Sequence, residues 1–291
     1  MNNLLTRSIS GMIFVAVIIT ALVSAWYVWA ALMLIVGFFA SLEFARLLQK
    51  SGLTVFPITA AACTPFFVAF VFLVLALNKI HFILWFVLAI PFVLLFITAA
   101  LNPRGMKSIL PNFISASYIA LPFSMTAMLL WIPVQIPFVN MDFALFHHNY
   151  HPEFLLSVLI LIWVFDSFAY LTGSLFGKHK MAPRISPKKS WEGFLGGVIF
   201  LFPAVWILNR TWDLLTNPQW LGMIIIIAVF GTIGDLLISQ LKRMAGEKNS
   251  GNLIPGHGGI LDRMDSFLTV IPFLTLYLLI LCNYSVLSAQ C

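Results

Sequence analysis

Three aspartates, Asp235, Asp262 and Asp265, fall within 231–266, GTIGDLLISQLKRMAGEKNSGNLIPGHGGILDRMDS, in an otherwise oily chain. The same stretch carries Lys242, Arg243, Lys248 and Arg263 and the turn Pro255-Gly256-His257-Gly258-Gly259. Asp235 lies inside an apolar run, 221–241, where an ionised carboxylate is costly unless a cation or a donor meets it. Carboxylates, basic groups and a glycine-rich turn in one place are the ingredients for holding a metal ion and phosphate at a bilayer surface. Asp235 and Asp262 are the candidate metal ligands. Two hard oxygen donors suit Mg2+, which takes one or two carboxylates and leaves room for water and substrate phosphate. The plainer use of the same acids is an ion pair with Lys242 or Arg263.

Asp265 lies one turn past Asp262 and offers three uses: a further ligand, an orienter for Arg263, or a negative charge at a helix start. Ser239, one turn after Asp235, adds a hydroxyl ligand or is a small residue at a helix contact. Three glycines around His257 permit a backbone that turns several N–H groups toward an anion, with Gly258 and Gly259 at its centre. A tight re-entrant turn with His257 as a bystander is the alternative. Lys242, Arg243, Lys248 and Arg263 would meet phosphate there, or serve as topology charge and contacts to anionic lipid.

A second cluster precedes this one. Asp166 lies near the middle of an apolar segment, where an acid is expected to face the bundle or a wet cavity. Gly177-Lys178-His179-Lys180 and Ser186-Pro187-Lys188-Lys189-Ser190-Trp191-Glu192-Gly193 follow. Lys188 and Lys189 suit a triphosphate as point charges. Trp191 reads better as an interface anchor. Glu192 either caps the next helix or organises the lysines. Glu43, at the end of the second apolar segment, is balanced between helix packing and support of the site.

These residues need a frame, and composition supplies it. Of 291 residues, 61% are hydrophobic and only 9% charged, with mean hydropathy +1.01. A soluble domain carries about 25% charged residues, so the chain reads as one polytopic membrane domain, 1–291. Nine apolar segments can be counted: 8–23, 26–42, 57–77, 81–101, 110–138, 154–175, 194–208, 220–241 and 267–284. Most reach the ~20 residues that span the hydrocarbon. The first resembles a signal peptide, but a second apolar run follows at once, so it counts as a membrane helix. The fifth contains Pro122, Pro133 and Pro137 and is expected to kink or to extend past the membrane. With the N-terminus in the cytoplasm, fourteen of the sixteen Lys and Arg fall inside, leaving only Lys79 and Arg210 outside. That is a strong positive-inside signal. The expected fold is an all-α transmembrane bundle of about nine helices, N-terminus cytoplasmic and C-terminus outside. Residues 1–153 would form five helices and an outer loop. Residues 154–291 would form four helices with two cytoplasmic loops, 176–193 and 242–266, that carry the site. The outer loop, with Asp142, His147, His148, His151 and Glu153, reads as solvated rather than metal-binding. Cys63, Cys282 and Cys291 have no paired spacing and read as packing residues.

Several of these runs together resemble the phosphatidate cytidylyltransferase, or CDP-diacylglycerol synthase, family. Its C-terminal signature, S-x-x-K-R-x4-K-D-x-x-x-x-I-P-G-H-G-G-x-x-D-R-x-D, is met by Ser239, Lys242, Arg243, Lys248, Ile254 to Gly259, Asp262, Arg263 and Asp265. Gly234-Asp235-Leu236, the 186–193 run and the 177–180 run also match. The likeness is strong over 163–267; the first five segments match in hydropathy and in the Glu43-Phe44 pair alone. It implies an enzyme of phospholipid biosynthesis in the bacterial cytoplasmic membrane, joining CTP to phosphatidate and releasing pyrophosphate. Mg2+ would sit on Asp235 and Asp262, with room for a second cation. Asp235, Asp262, Lys242, Arg263 and Asp265 would be catalytic. Asp166, Lys188, Lys189, Ser239, Arg243, Lys248, His257, Gly258 and Gly259 would bind substrate. Membrane lipids and a possible homodimer are the implied partners, and no nucleic acid. Three positions depart from the pattern: Ile238 and Asn249 stand where the family has Glu and Asp, and Phe168 where Gly is common. The lost carboxylates bear on the second cation. A CTP-dependent lipid kinase is the competing enzyme; a transporter or a degenerate paralogue is the competing class.

Overall fold

The structure is a computed structural model that describes residues 2–77, 105–131, 150–256 and 258–289, with residues 90, 93, 97, 98, 100 and 101. Its helices are α1 (Asn2–Ser24), α2 (Trp26–Lys50), α3 (Pro57–Leu77), α4 (Gly105–Trp131), α5 (Pro152–Phe176), α6 (Trp191–Trp212), α7 (Asn217–Met244) and α8 (Leu261–Ala289). Seven helices among the described residues are long and apolar enough to cross a membrane; in α1 the apolar stretch, Ile9–Ser24, is shorter. This is the all-helical, multi-pass architecture that the hydropathy predicts. The fourth apolar segment (81–101) lies largely outside the described residues, as do the end of the fifth, the 142–148 part of the outer loop and His257. One element departs from the all-α expectation. Between α5 and α6 the chain forms an antiparallel hairpin of β1 (Lys180–Ala182) and β2 (Ser186–Ser190), pairing Lys180 with Ser190 and Ala182 with Ser186.

The chain groups into two compact units: Met1–Met128 with Leu241–Met264, and Leu129–Gln240 with Asp265–Cys291. In the first unit, α2 lies along α3. Ser41 Oγ donates to the Ala60 carbonyl at 3.3 Å, and Gly37 leaves room for the Thr64 methyl. Trp29 is fully buried, and its indole N–H donates to Thr126 Oγ1 on α4 at 3.2 Å. Asn112 pins the start of α4, accepting from the Phe56 N–H at 2.8 Å and donating to the Ser108 carbonyl at 2.7 Å. α4 stays helical through Pro111 and Pro122, a tolerance usual where neighbouring helices and hydroxyl side chains satisfy the freed carbonyls.

In the second unit α5 and α6 form a tight pair. Pro152 opens α5 at a position where a missing N–H is harmless. Ser190 caps α6, its Oγ accepting from the Gly193 N–H at 3.2 Å. Small residues let the two helices approach, as membrane helices require in the absence of a hydrophobic drive. A Cβ at Gly193 would stand 2.7 Å from the Ala169 carbonyl. α7 approaches α8 in the same way: a Cβ at Gly234 would stand 2.6 Å from the Asp265 carbonyl.

Gly193→Ala must therefore push backbone against backbone. It should cost about 1–3 kcal/mol and lower the thermal unfolding midpoint in detergent. Gly231→Ala is the control, because the nearest atom to its added methyl is 3.6 Å away; it should be neutral or stabilising.

Candidate active site

Asp235 sits in α7 of the second unit, and its partner comes from the hairpin. Side chains alternate across a strand, so Lys188 and Lys189 on β2 point to opposite faces. Lys188 is exposed. Lys189 turns inward, placing its ammonium 2.7 Å from Asp235 Oδ2 and 3.4 Å from the Thr232 carbonyl. Ser239, one turn along α7, donates to Asp235 Oδ1 at 3.1 Å. The Asp235 side chain remains 32% exposed, so this acid is paired but still reachable. Glu192 resolves the choice between cap and organiser. Ser190 is the cap, while Glu192 accepts from the backbone N–H groups of Lys178 and His179 and meets His179 Nδ1 at 2.5 Å. It thereby fixes the approach to β1.

Asp262 belongs to the first unit, and its partner is Lys242. The ammonium lies 2.7 Å from Asp262 Oδ1, with the two side chains only 11% and 9% exposed. Asp262 Oδ2 accepts from the Ser250 N–H at 2.8 Å and the Gly259 N–H at 3.1 Å. Ile254 and Gly258 close the turn between them, each N–H donating to the other's carbonyl. Gly256 and Gly258 have φ of +76° and +90°, so the turn uses a backbone region that favours glycine. Ile260 and Leu261 donate to the carboxylate of Glu43, from α2. Four successive N–H groups, 258 to 261, thus have protein acceptors, two of those acceptors being carboxylates. Within the expected phosphate turn, the Gly258 and Gly259 N–H groups are thus taken by the chain itself.

Arg243, Lys248 and Arg263 are exposed, and Asp265 is half-buried with its Oδ1 accepting from the Ser266 N–H. Lys242 and Arg243 part company because neighbours on a helix point about 100° apart. Asp166 is exposed. It falls on a stripe of α5 with Ser167, Tyr170, Leu171, Ser174 and Leu175, all exposed. Ile238 is buried, 1% exposed, so the position where the resemblance expects Glu faces packing. Asn249 is exposed, and Phe168 stacks on Phe200 with ring centroids 3.8 Å apart. Glu43 and Ser250 are the residues that sequence reasoning undervalued. The acidic end of an apolar segment was the one signal for Glu43, and nothing marked Ser250.

A model of the cytidylyltransferase family matches residues 5–281. The chain belongs to the cytidylyltransferase family. It is similar to proteins named phosphatidate cytidylyltransferase. That of Staphylococcus epidermidis is 42% identical over 128 residues, 44% of this chain and 49% of the relative. That of Staphylococcus saprophyticus is 44% identical over 131 residues, 44% and 49% of the two chains. That of Haemophilus influenzae is 43% identical over 137 residues, 45% and 48%. The chain spans about half the length of the curated relatives it matches.

In this chain the Lys242–Asp262 pair is buried enough that losing one partner strands the other. Lys242→Met should cost about 3–5 kcal/mol of stability, read as a lower unfolding midpoint. Arg243→Met, one residue away and exposed, should stay within about 0.5 kcal/mol.

Proposed function

We propose that this chain is a membrane phosphatidate cytidylyltransferase, joining CTP and phosphatidate into CDP-diacylglycerol and releasing pyrophosphate. The observation that carries the reading is the Lys189–Asp235 pair with Ser239 beside it, in a chain of this family whose relatives are named for that reaction. A phosphate oxygen of phosphatidate attacks the α-phosphorus of CTP. The bond from that phosphorus to the oxygen bridging to the β-phosphate breaks, and its electron pair leaves with pyrophosphate. Negative charge grows on the leaving oxygen. Lys189, with exposed Lys188, supplies cations that hold the triphosphate and steady that charge; Arg243, Lys248 and Arg263 are the cations of the first unit to which the resemblance gives a role in binding or catalysis. Asp235 keeps Lys189 in place. Asp262 does the same for Lys242, which acts by shaping the loop. A membrane frame suits the reaction, because one substrate is dissolved in water and the other is held in the bilayer.

The donor set fits Mg2+. A carboxylate offers about four lone-pair positions. Asp235 shows two donors on it and Asp262 three, so each retains a free position. Among the described residues, no group of three or more His, Cys, Asp and Glu is placed to hold a metal; Mg2+ would draw its other ligands from substrate phosphate and water. Held on Asp235, or on Asp262, Mg2+ would neutralise triphosphate charge. A second cation has less to hold it, with Ile238 buried and Asn249 neutral. We place the N-terminus in the cytoplasm, with about nine helices in all, on the inside bias of Lys and Arg. Bacterial relatives support a bacterial cytoplasmic membrane.

Purified full-length protein supplied with phosphatidate should release pyrophosphate from CTP and retain cytidine on the lipid. Chelation should abolish turnover and added Mg2+ restore it. Asp235→Asn should lower kcat by about a hundred-fold or more with its unfolding midpoint little changed. A well-folded protein in lipid that releases no pyrophosphate overturns the assignment, and a phosphorylated lipid without cytidine replaces it with a kinase.

A further inference from the structure

We propose that Glu43 is a positioning residue that holds the 250–261 loop closed and, through it, keeps Asp262 oriented for cytidylyl transfer. The link to catalysis rests on the function proposed above; the loop contact does not. Glu43 is 2% exposed. Its Oε2 accepts from Ser250 Oγ at 2.7 Å and from the Leu261 N–H at 2.9 Å, and its Oε1 accepts from the Ile260 N–H at 3.2 Å. All three donors belong to one loop, more than two hundred residues along the chain.

Three consequences follow. The first N–H groups of a helix have no partner inside it, and those at Ile260 and Leu261, where α8 begins, find theirs in Glu43. A helix start favours a negative group, so Glu43 acts as a cap delivered by another helix. Ser250 joins the two acids of the loop, giving its N–H to Asp262 and its hydroxyl to Glu43. Loosening Glu43 therefore loosens a group that also sets Asp262. Finally, Glu43 explains two glycines. A Cβ at Gly251 would stand 2.4 Å from Glu43 Oε1, and one at Gly259 would stand 2.2 Å from Oε2 and 2.1 Å from Ser250 Oγ. Neither glycine has a positive φ, unlike Gly256 and Gly258. Space beside a carboxylate, not backbone conformation, is what these two positions require.

The test uses the full-length protein in lipid. Glu43→Gln keeps the shape but sets an amide N–H2 against N–H donors. Hydrogen exchange across 250–261 should rise by about ten-fold or more, with the 180–190 hairpin unchanged. In the CTP assay kcat should fall about ten-fold or more while the KM for CTP moves little. Separately, Gly259→Ala should lower the unfolding midpoint of the wild type, yet have little further effect in a Glu43→Ala/Ser250→Ala background, where the methyl has room. Unchanged loop exchange, or an equal Gly259→Ala penalty in both backgrounds, overturns the contact. Raised exchange with unchanged kcat overturns the positioning role. Exchange and coupling are read without substrate, so a wild type that releases no pyrophosphate sinks the functional reading and leaves the loop result standing.

Discussion

A loop that leaves helix geometry inside a membrane protein must still find a partner for each buried backbone N–H, since an unmet one costs on the order of a few kcal/mol. The 250–261 loop meets that demand largely with two acids. Asp262 takes the N–H groups of Ser250 and Gly259, Glu43 takes those of Ile260 and Leu261, and Ile254 and Gly258 serve each other. The polar contacts around the loop follow. Asp262 is almost buried, so it needs Lys242 beside it. Glu43 is buried too, so the chain around it must be glycine where it comes closest. Ser10 on α1 adds a bond to the Pro255 carbonyl at 3.0 Å, tying the tip of the same loop.

The second unit solves a different problem with strand geometry. A helix turns successive lysines by about 100°, whereas a strand throws them to opposite sides. The short hairpin therefore gives β2 one lysine for an internal acid and one for the surroundings. It is held from both ends, by Glu192 on the 178–179 backbone and by Ser190 at the start of α6. The hairpin is small, yet it sets which lysine reaches Asp235.

Much of this could be read from residues alone. The apolar segments are long and carry few charges within them, so their helical, multi-pass nature is plain in the composition. Asp235, Asp262, Lys189 and Ser239 also stood out, because acids and amines in an oily chain are few. The hairpin was hidden: Ser186-Pro187-Lys188-Lys189-Ser190 has no alternating apolar pattern to mark a strand. The pairing was hidden as well. Charge and spacing offered Asp262 either Lys242 or Arg263, and packing selected Lys242. Glu43 was open between helix packing and support of the site, since its partners lie far along the chain and two of them are backbone groups that carry no residue identity.

The division between paired and exposed cations changes how a signature of this kind should be understood. Lys242 and Arg243 are adjacent and equal in charge, yet one is locked into a nearly buried ion pair and the other is exposed. The glycines divide likewise: Gly256 and Gly258 answer to backbone angle, Gly251 and Gly259 to a neighbouring carboxylate. A motif that looks like a list of phosphate ligands is thus partly a recipe for a folded loop. The backbone N–H groups of 258–261 all have acceptors within the chain. The turn's part in that recipe is to fix Asp262 and Glu43 through backbone N–H groups, while Arg243 stays at the surface.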